Sequence, residues 1–246
     1  MLLDIRHGGV YNARAMQQET SASLQNLTNE QALSIVRAFM NRVYAWMAGS
    51  LFISAGAAAW AVSDLQLLSW VAQNMMLCAI IAIGILLVMS FMSTRLSASA
   101  MGAMLLVFAA IEGLTLGPVV AVTASGTLAT ALACTAGTFG VMSIIGATTR
   151  VNLQGFGRFF MMMLIGLLIA MIVNIFMQSS TADLVISCIG VLLFSAMTAY
   201  DTQRLNMLAL CLDGEDRAKG AIHGATQLYL DFLNLFLFLL SLLRER

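Results

Sequence analysis

Proline occurs once in 246 residues, charged side chains make up only 10% of the chain, and no two cysteines form a CxxC pair. Each scarcity excludes something. With a single proline, long helices run largely unbroken. A soluble domain of this length would carry about 25% charge, so a water-soluble globular protein is excluded. The 60% hydrophobic content and mean hydropathy of +0.90 indicate a polytopic membrane protein instead. Formal net charge is zero, which argues against nucleic acid as a partner. Cys78, Cys134 and Cys188 fall in hydrophobic runs and Cys211 in a loop, a pattern that supports neither a disulfide framework nor a zinc site. They read as small buried hydrophobes. The 18 methionines are scattered, as soft packing requires and a metal-binding box does not.

Residues 1–37 are polar and mixed in charge, without the apolar core of a signal peptide, and read as a cytoplasmic tail. Thr28-Asn29-Glu30-Gln31 is a start signal for a short amphipathic helix leading to Arg37 and Arg42. Residues 38–246 form the transmembrane domain, with seven hydrophobic runs at about 43–62, 73–92, 98–120, 127–148, 159–177, 182–200 and 225–243. Each is near the ~20 residues a helix needs to cross ~30 Å of hydrocarbon. Because lipid offers the backbone no partner, every run is expected to be a helix, and the fold class all-α. Arg37, Arg42, Arg95, Arg150, Arg158, Arg204, Arg217 and Lys219 lie on alternate loops, which places the N-terminus inside. Arg244 and Arg246 break the rule if the seventh run spans fully. Small residues at helical spacing, Gly49 to Gly56 and Ala133, Gly137 and Gly140, are expected where helices approach closely.

Against this apolar background two carboxylates stand out, Asp201 at the end of the sixth run and Asp231 inside the seventh. An acid within the membrane costs roughly 3 kcal/mol on insertion scales and marks function by default. The sixth run travels inward and the seventh starts from the same side, so both acids share one leaflet. His223, Gln227, Asp231 and Asn234 form one stripe of the seventh helix; Ser187, Ser195, Thr198, Asp201 and Thr202 cluster on the sixth. Facing each other, the stripes line a polar path. Two touching carboxylates cannot both ionise freely, so the pair titrates as a unit and can sense pH. With amide oxygens from Gln227 and Asn234 the same acids suit a hard cation such as calcium. Arg95 is at the depth of a latch on either Asp, with Arg204, one turn from Asp201, as its competitor. Glu112, followed by Gly113 to Pro118, is either a further lining group or a structural acid paired with Thr or Asn174.

The segments Tyr200-Asp201-Thr202-Gln203, Leu228-Tyr229-Leu230-Asp231-Phe232-Leu233-Asn234-Leu235-Phe236 and Gly113 to Pro118 resemble the Bax inhibitor-one family, the transmembrane Bax-inhibitor-motif proteins, in its bacterial branch. The resemblance covers roughly residues 40–244. It implies seven transmembrane helices with the last wrapped by the other six, and a pH-sensitive calcium leak. Asp201 and Asp231 would be its di-aspartyl sensor and Arg95 its latch. Some members carry an acid in the second helix; the run Met75 to Met92 has none.

Three functions follow as expectations. The first is a calcium leak channel or cation/proton exchanger of the inner membrane, not an enzyme and without a cofactor, whose partners are the bilayer, calcium and protons. An intramembrane aspartyl protease is disfavoured, because Leu228-Tyr229-Leu230-Asp231 lacks that motif's glycines and no Pro-Ala-Leu follows. The third is a non-conducting regulator that binds another membrane protein, such as a quality-control protease.

Overall fold

Apolar runs this long leave the backbone only its own hydrogen bonds, and the chain is helical throughout the residues the structure describes, 29–93 and 95–244 of a computed structural model. Of the tail expected over residues 1–37, residues 1–28 lie outside them, while residues 29–37 form the first turns of a long helix. Eight α-helices occur among the described residues: α1 (Asn29–Ser63), α2 (Leu65–Gln73), α3 (Met75–Phe91), α4 (Ala98–Ala121), α5 (Ser125–Thr148), α6 (Gly157–Met177), α7 (Ser180–Cys211) and α8 (Gly214–Arg244), with a 3-10 turn at Leu153–Phe156 before α6. The protein is an all-α integral membrane protein. Six helices among the described residues are long and apolar enough to span, and up to seven spans result if α2 and α3, bent by 77° at their junction, count as one.

Several boundaries differ from the sequence expectation. α7 runs eleven residues past the expected end at 200, so Cys211 ends a helix instead of lying in a loop, and α8 begins at Gly214, eleven residues before the expected 225. The start signal at Asn29 opens no separate helix; α1 continues for 35 residues. At 1.5 Å per residue that is about 50 Å, well beyond the ~30 Å hydrocarbon. Ahead of the second run, Asp64 caps an extra short helix: its Oδ1 accepts from the Gln66 and Leu67 amides at 2.9 and 3.1 Å. Trp70 and Leu65 on that helix are exposed, as suits a segment lying at the membrane interface.

α8 occupies the centre. Half of its spanning stretch is buried inside the bundle, against a third for α7 and 11% for the α6 span. It packs chiefly on α7, α1, α5 and α4, while α3 and α6 sit farther out on α4 and α7. Phe108 meets Tyr229 edge-on at 5.8 Å and Phe139 meets Phe232 at 5.6 Å, tying α4 and α5 to this axis.

Close backbone approach occurs at other glycines than spacing suggested. A Cβ at Gly113 would collide with the Ser54 backbone, and one at Gly146 with the Ala199 backbone. Gly49, Gly56, Gly137 and Gly140 have nothing within 4 Å of where their Cβ would stand. Helical spacing identifies a face but not which neighbour it meets. Nor are the cysteines uniformly buried: Cys78 is, whereas Cys134, Cys188 and Cys211 are exposed, which costs nothing where the surroundings are lipid.

These contacts generate a stability test. Gly113→Ala and Gly146→Ala should each lower the thermal midpoint in detergent, with overpacking penalties of about 1–3 kcal/mol. Gly137→Ala and Gly140→Ala should leave it unchanged or raise it, since Ala gains up to ~1 kcal/mol of helix propensity over Gly. Tryptophan-fluorescence melts of the four variants check the ordering.

Candidate functional site

The five polar residues expected on one side of α7 are all buried. Ser195 and Thr198 donate back to the carbonyls of Val191 (2.6 Å) and Phe194 (2.8 Å), so these hydroxyls are satisfied by their own helix. Asp201 has no such internal partner. Its carboxyl and that of Asp231 lie close enough to act on one another, at 6% and 3% exposure. A hydrogen bond between two carboxyl groups needs a proton on one of them, because an ionised carboxylate only accepts. The Oδ2 of Asp231 has no hydrogen-bond partner among the described residues.

Three of the four residues of the Tyr200-to-Gln203 segment hold something; Thr202 is buried with its hydroxyl unpartnered among the described residues. Tyr200 packs edge-on against Phe160 at 5.5 Å, and its phenol fills the space beside Gly157, bringing α6 onto α7. Asp201 forms the dyad. Gln203 accepts from the Leu153 amide and donates to the Val151 carbonyl, both at 2.8 Å, pinning the α5–α6 loop across the end of α7. The dyad is therefore held by its own sequence neighbours.

Asp201 and Asp231 line a cavity of about 390 Å³ between α6, α7 and α8, which Gln227, Asn234 and Arg204 also line. Arg204 is exposed, one turn from Asp201, and is the cation whose charge acts on that carboxyl. Arg95 lies elsewhere, in the exposed turn after α3. It enters neither of the two ion pairs formed among the described residues, Arg217–Asp213 and Lys219–Glu215. The latch contact expected of Arg95 is thus not made in this structure, because α3 packs on α4 whereas α6, α7 and α8 wall the dyad.

Glu112 is half-buried on α4, and does not line the dyad cavity. Its backbone carbonyl accepts from Thr115 Oγ1 at 2.8 Å. Asn174, expected as one partner for it, instead donates to Asp183 across the α6–α7 turn. His223 is exposed. No group of three His, Cys, Asp or Glu side chains capable of holding a metal gathers among the described residues. Any calcium at the dyad would rest on two carboxyls and neighbouring amide oxygens, a set suited to passage more than to residence.

One buried network escaped the sequence reading. Ser54 Oγ lies 2.7 Å from the Ala109 carbonyl and 2.7 Å from the Tyr229 hydroxyl. With the serine proton given to a carbonyl, Tyr229 is the donor to Ser54. This ties α1, α4 and α8 together on the side of α8 away from the dyad. The available signal was Tyr229 itself, since a tyrosine deep in an apolar run needs a partner for its hydroxyl.

Residues 36–246 match the family profile described as Inhibitor of apoptosis-promoting Bax1. The chain is 41% identical over 221 residues to an uncharacterized protein of Deinococcus radiodurans, covering 89% of this chain and 96% of that one. It is 36% identical over 217 residues to the inner membrane protein YbhL of Escherichia coli K12, covering 86% and 93%. A protein of Borreliella burgdorferi is 34% identical over 228 residues, covering 90% and 98%.

The approach of the two acids has a spectroscopic consequence. Infrared difference spectra should contain a carboxylic-acid carbonyl band that shifts in deuterium oxide. Because each carboxyl acts on the other, Asp201→Asn and Asp231→Asn should each move the band of the acid that remains. A band at the same frequency in the wild type and both variants would show that the two groups do not share a proton.

Proposed function

The chain belongs to the family of inhibitors of apoptosis-promoting Bax1, and from that premise we propose that it is a pH-sensitive calcium leak channel or cation/proton exchanger gated by the Asp201–Asp231 pair. One observation carries the reading. Two carboxyls from neighbouring helices are buried within reach of one another inside an apolar bundle, on the wall of one cavity. A purely structural network has cheaper means, since neutral amides and hydroxyls fix helix register without desolvating acids.

In this reading the shared proton holds α7 and α8 together, and a cation competes with it for the same oxygens. Arg204, at the rim, biases which acid carries charge. Acid removes the attraction of Arg204 for Asp201 by neutralising the carboxyl, yet it also occupies the oxygens calcium would use, so flux depends on pH through two opposing effects. No chemistry is performed on a substrate and no cofactor is required; calcium is cargo. Arg37, Arg42, Arg95, Arg150, Arg158, Arg204, Arg217 and Lys219 gather at one end of the bundle, which we assign to the cytoplasm together with the N-terminus. The name of the Escherichia coli relative supports an inner-membrane location.

Calcium flux into liposomes containing only this protein, across a pH series, tests the proposal. One controlling proton changes the open fraction by at most about tenfold per pH unit. Asp201→Asn and Asp231→Asn should each flatten that dependence, and the double variant should abolish it. Arg204→Gln should raise basal flux, while Arg95→Ala should not. A double variant with wild-type pH dependence, or wild-type liposomes that pass no calcium, would favour the alternative of a non-conducting regulator bound to another membrane protein.

A further inference from the structure

Beyond the dyad, on the side away from Arg204, a second cavity of about 520 Å³ opens between the same three helices. Its polar lining is Asn174, Gln178, Asp183, Ser187, Asn234 and Ser241. The two cavities share Met171, Asn234 and Phe238 and so stand in tandem. Along α8 their lining runs through Gln227, Asp231, Asn234, Phe238 and Ser241, alternating steps of four and three that keep one helix face. From Gln227 to Ser241 that face extends about 21 Å, and from Asp201 to Asp183 on α7 the distance is about 27 Å. Together they cover most of the ~30 Å hydrocarbon thickness.

The neck between them is aromatic. Phe238 is 8% exposed and stacks on Phe194, with centroids 5.8 Å apart and planes at 26°. Its ring lies directly over Gly190, where any Cβ would collide with it. The ring can seat against α7 only because residue 190 has no side chain, and it sits where one polar chamber meets the other. A constriction of this kind stops ions by excluding water.

The second chamber offers oxygen. Asp183 is exposed at the far end of α7 and accepts from Asn174, whose own carbonyl accepts from the Ser179 amide at 3.2 Å. Ser187 donates to Ser241 at 2.9 Å, linking α7 to α8 across the floor. Asn174 and Ser187 are 7% and 3% exposed, built into the wall rather than draped over it. One carboxylate with neutral oxygens suits a hard cation held weakly enough to move on.

We propose that this chamber is the outer vestibule of the ion path, where Asp183 captures a hydrated calcium ion, and that the Phe238 ring on Gly190 is the gate between it and the dyad. The proposal rests on the leak reading for the cation's onward passage, but its geometry is tested separately. In the full chain with Cys78, Cys134, Cys188 and Cys211 replaced by serine, Ser241→Cys and Gln227→Cys, the second lining only the dyad cavity, are exposed on intact cells to a membrane-impermeant cationic thiol reagent. Ser241→Cys should label, calcium should slow that labelling, and Asp183→Asn should remove the protection. Adding Phe238→Ala, or the milder Phe238→Leu if the first misfolds, should speed labelling of Gln227→Cys by about tenfold. An unreactive Ser241→Cys, calcium protection that survives Asp183→Asn, or Gln227→Cys access indifferent to both Phe238 variants would overturn the proposal. If labelling behaves as expected while wild-type liposomes pass no calcium, the leak reading fails and the vestibule and gate stand.

Discussion

Asp201 and Asp231 are buried among apolar helices with chiefly one another for partners, and much of the local architecture follows from satisfying them. Leaving either acid alone in this environment would cost several kcal/mol. Placing them in contact requires α7 and α8 to be neighbours at that depth. Tyr200 against Phe160 fixes α6 beside them, and Gln203 closes the α5–α6 loop over the end of α7. Gly146 lets α5 reach the α7 backbone at Ala199, two residues before the acid. A short segment of sequence thus supplies both the acid and the braces that locate it.

The central helix keeps different company on its two sides. Toward α6 and α7 it presents Gln227, Asp231, Asn234 and Ser241 to cavities. Toward α1 and α4 it presents Tyr229, whose hydroxyl is closed off by Ser54 and Ala109 beneath the Phe108 ring. The cavities on the first side carry polar groups, whereas the cavity of about 490 Å³ between α1, α4, α5 and α8 on the second is lined almost wholly by apolar side chains. Glu112, on α4, does not line the dyad cavity, which is why an acid at a plausible depth does not join the dyad.

Much of this was legible in the sequence because burial in lipid is so restrictive. The hydrophobic runs had to be helices, the basic loops had to alternate, and two acids in one leaflet had one economical arrangement. What stayed hidden depends on which faces meet. Nothing in the spacing of Gly137 and Gly140 distinguishes lipid from a neighbouring helix, and nothing in Gly113 or Gly146 announces a colliding backbone. Arg95 and Arg204 were equal in depth; only the lateral placement of α3 on α4 separates them. Asp64 was visible as a loop charge, but its role as a cap depends on two amides that exist only once α2 has formed. The partnership of Asn174 with Asp183 is set by the tight turn at Gln178, whose φ of 48° is left-handed.

The position of α8 at the axis also bears on the order of assembly. The helix that fills the centre is the last of the eight to leave the ribosome. At translation rates of 5–20 residues per second its 31 residues take about two to six seconds to appear. Throughout that interval Asp201 has been made and Asp231 has not, and the earlier helices lack the element on which four of them pack. Only with α8 in place does the rest of the protein have something to close upon.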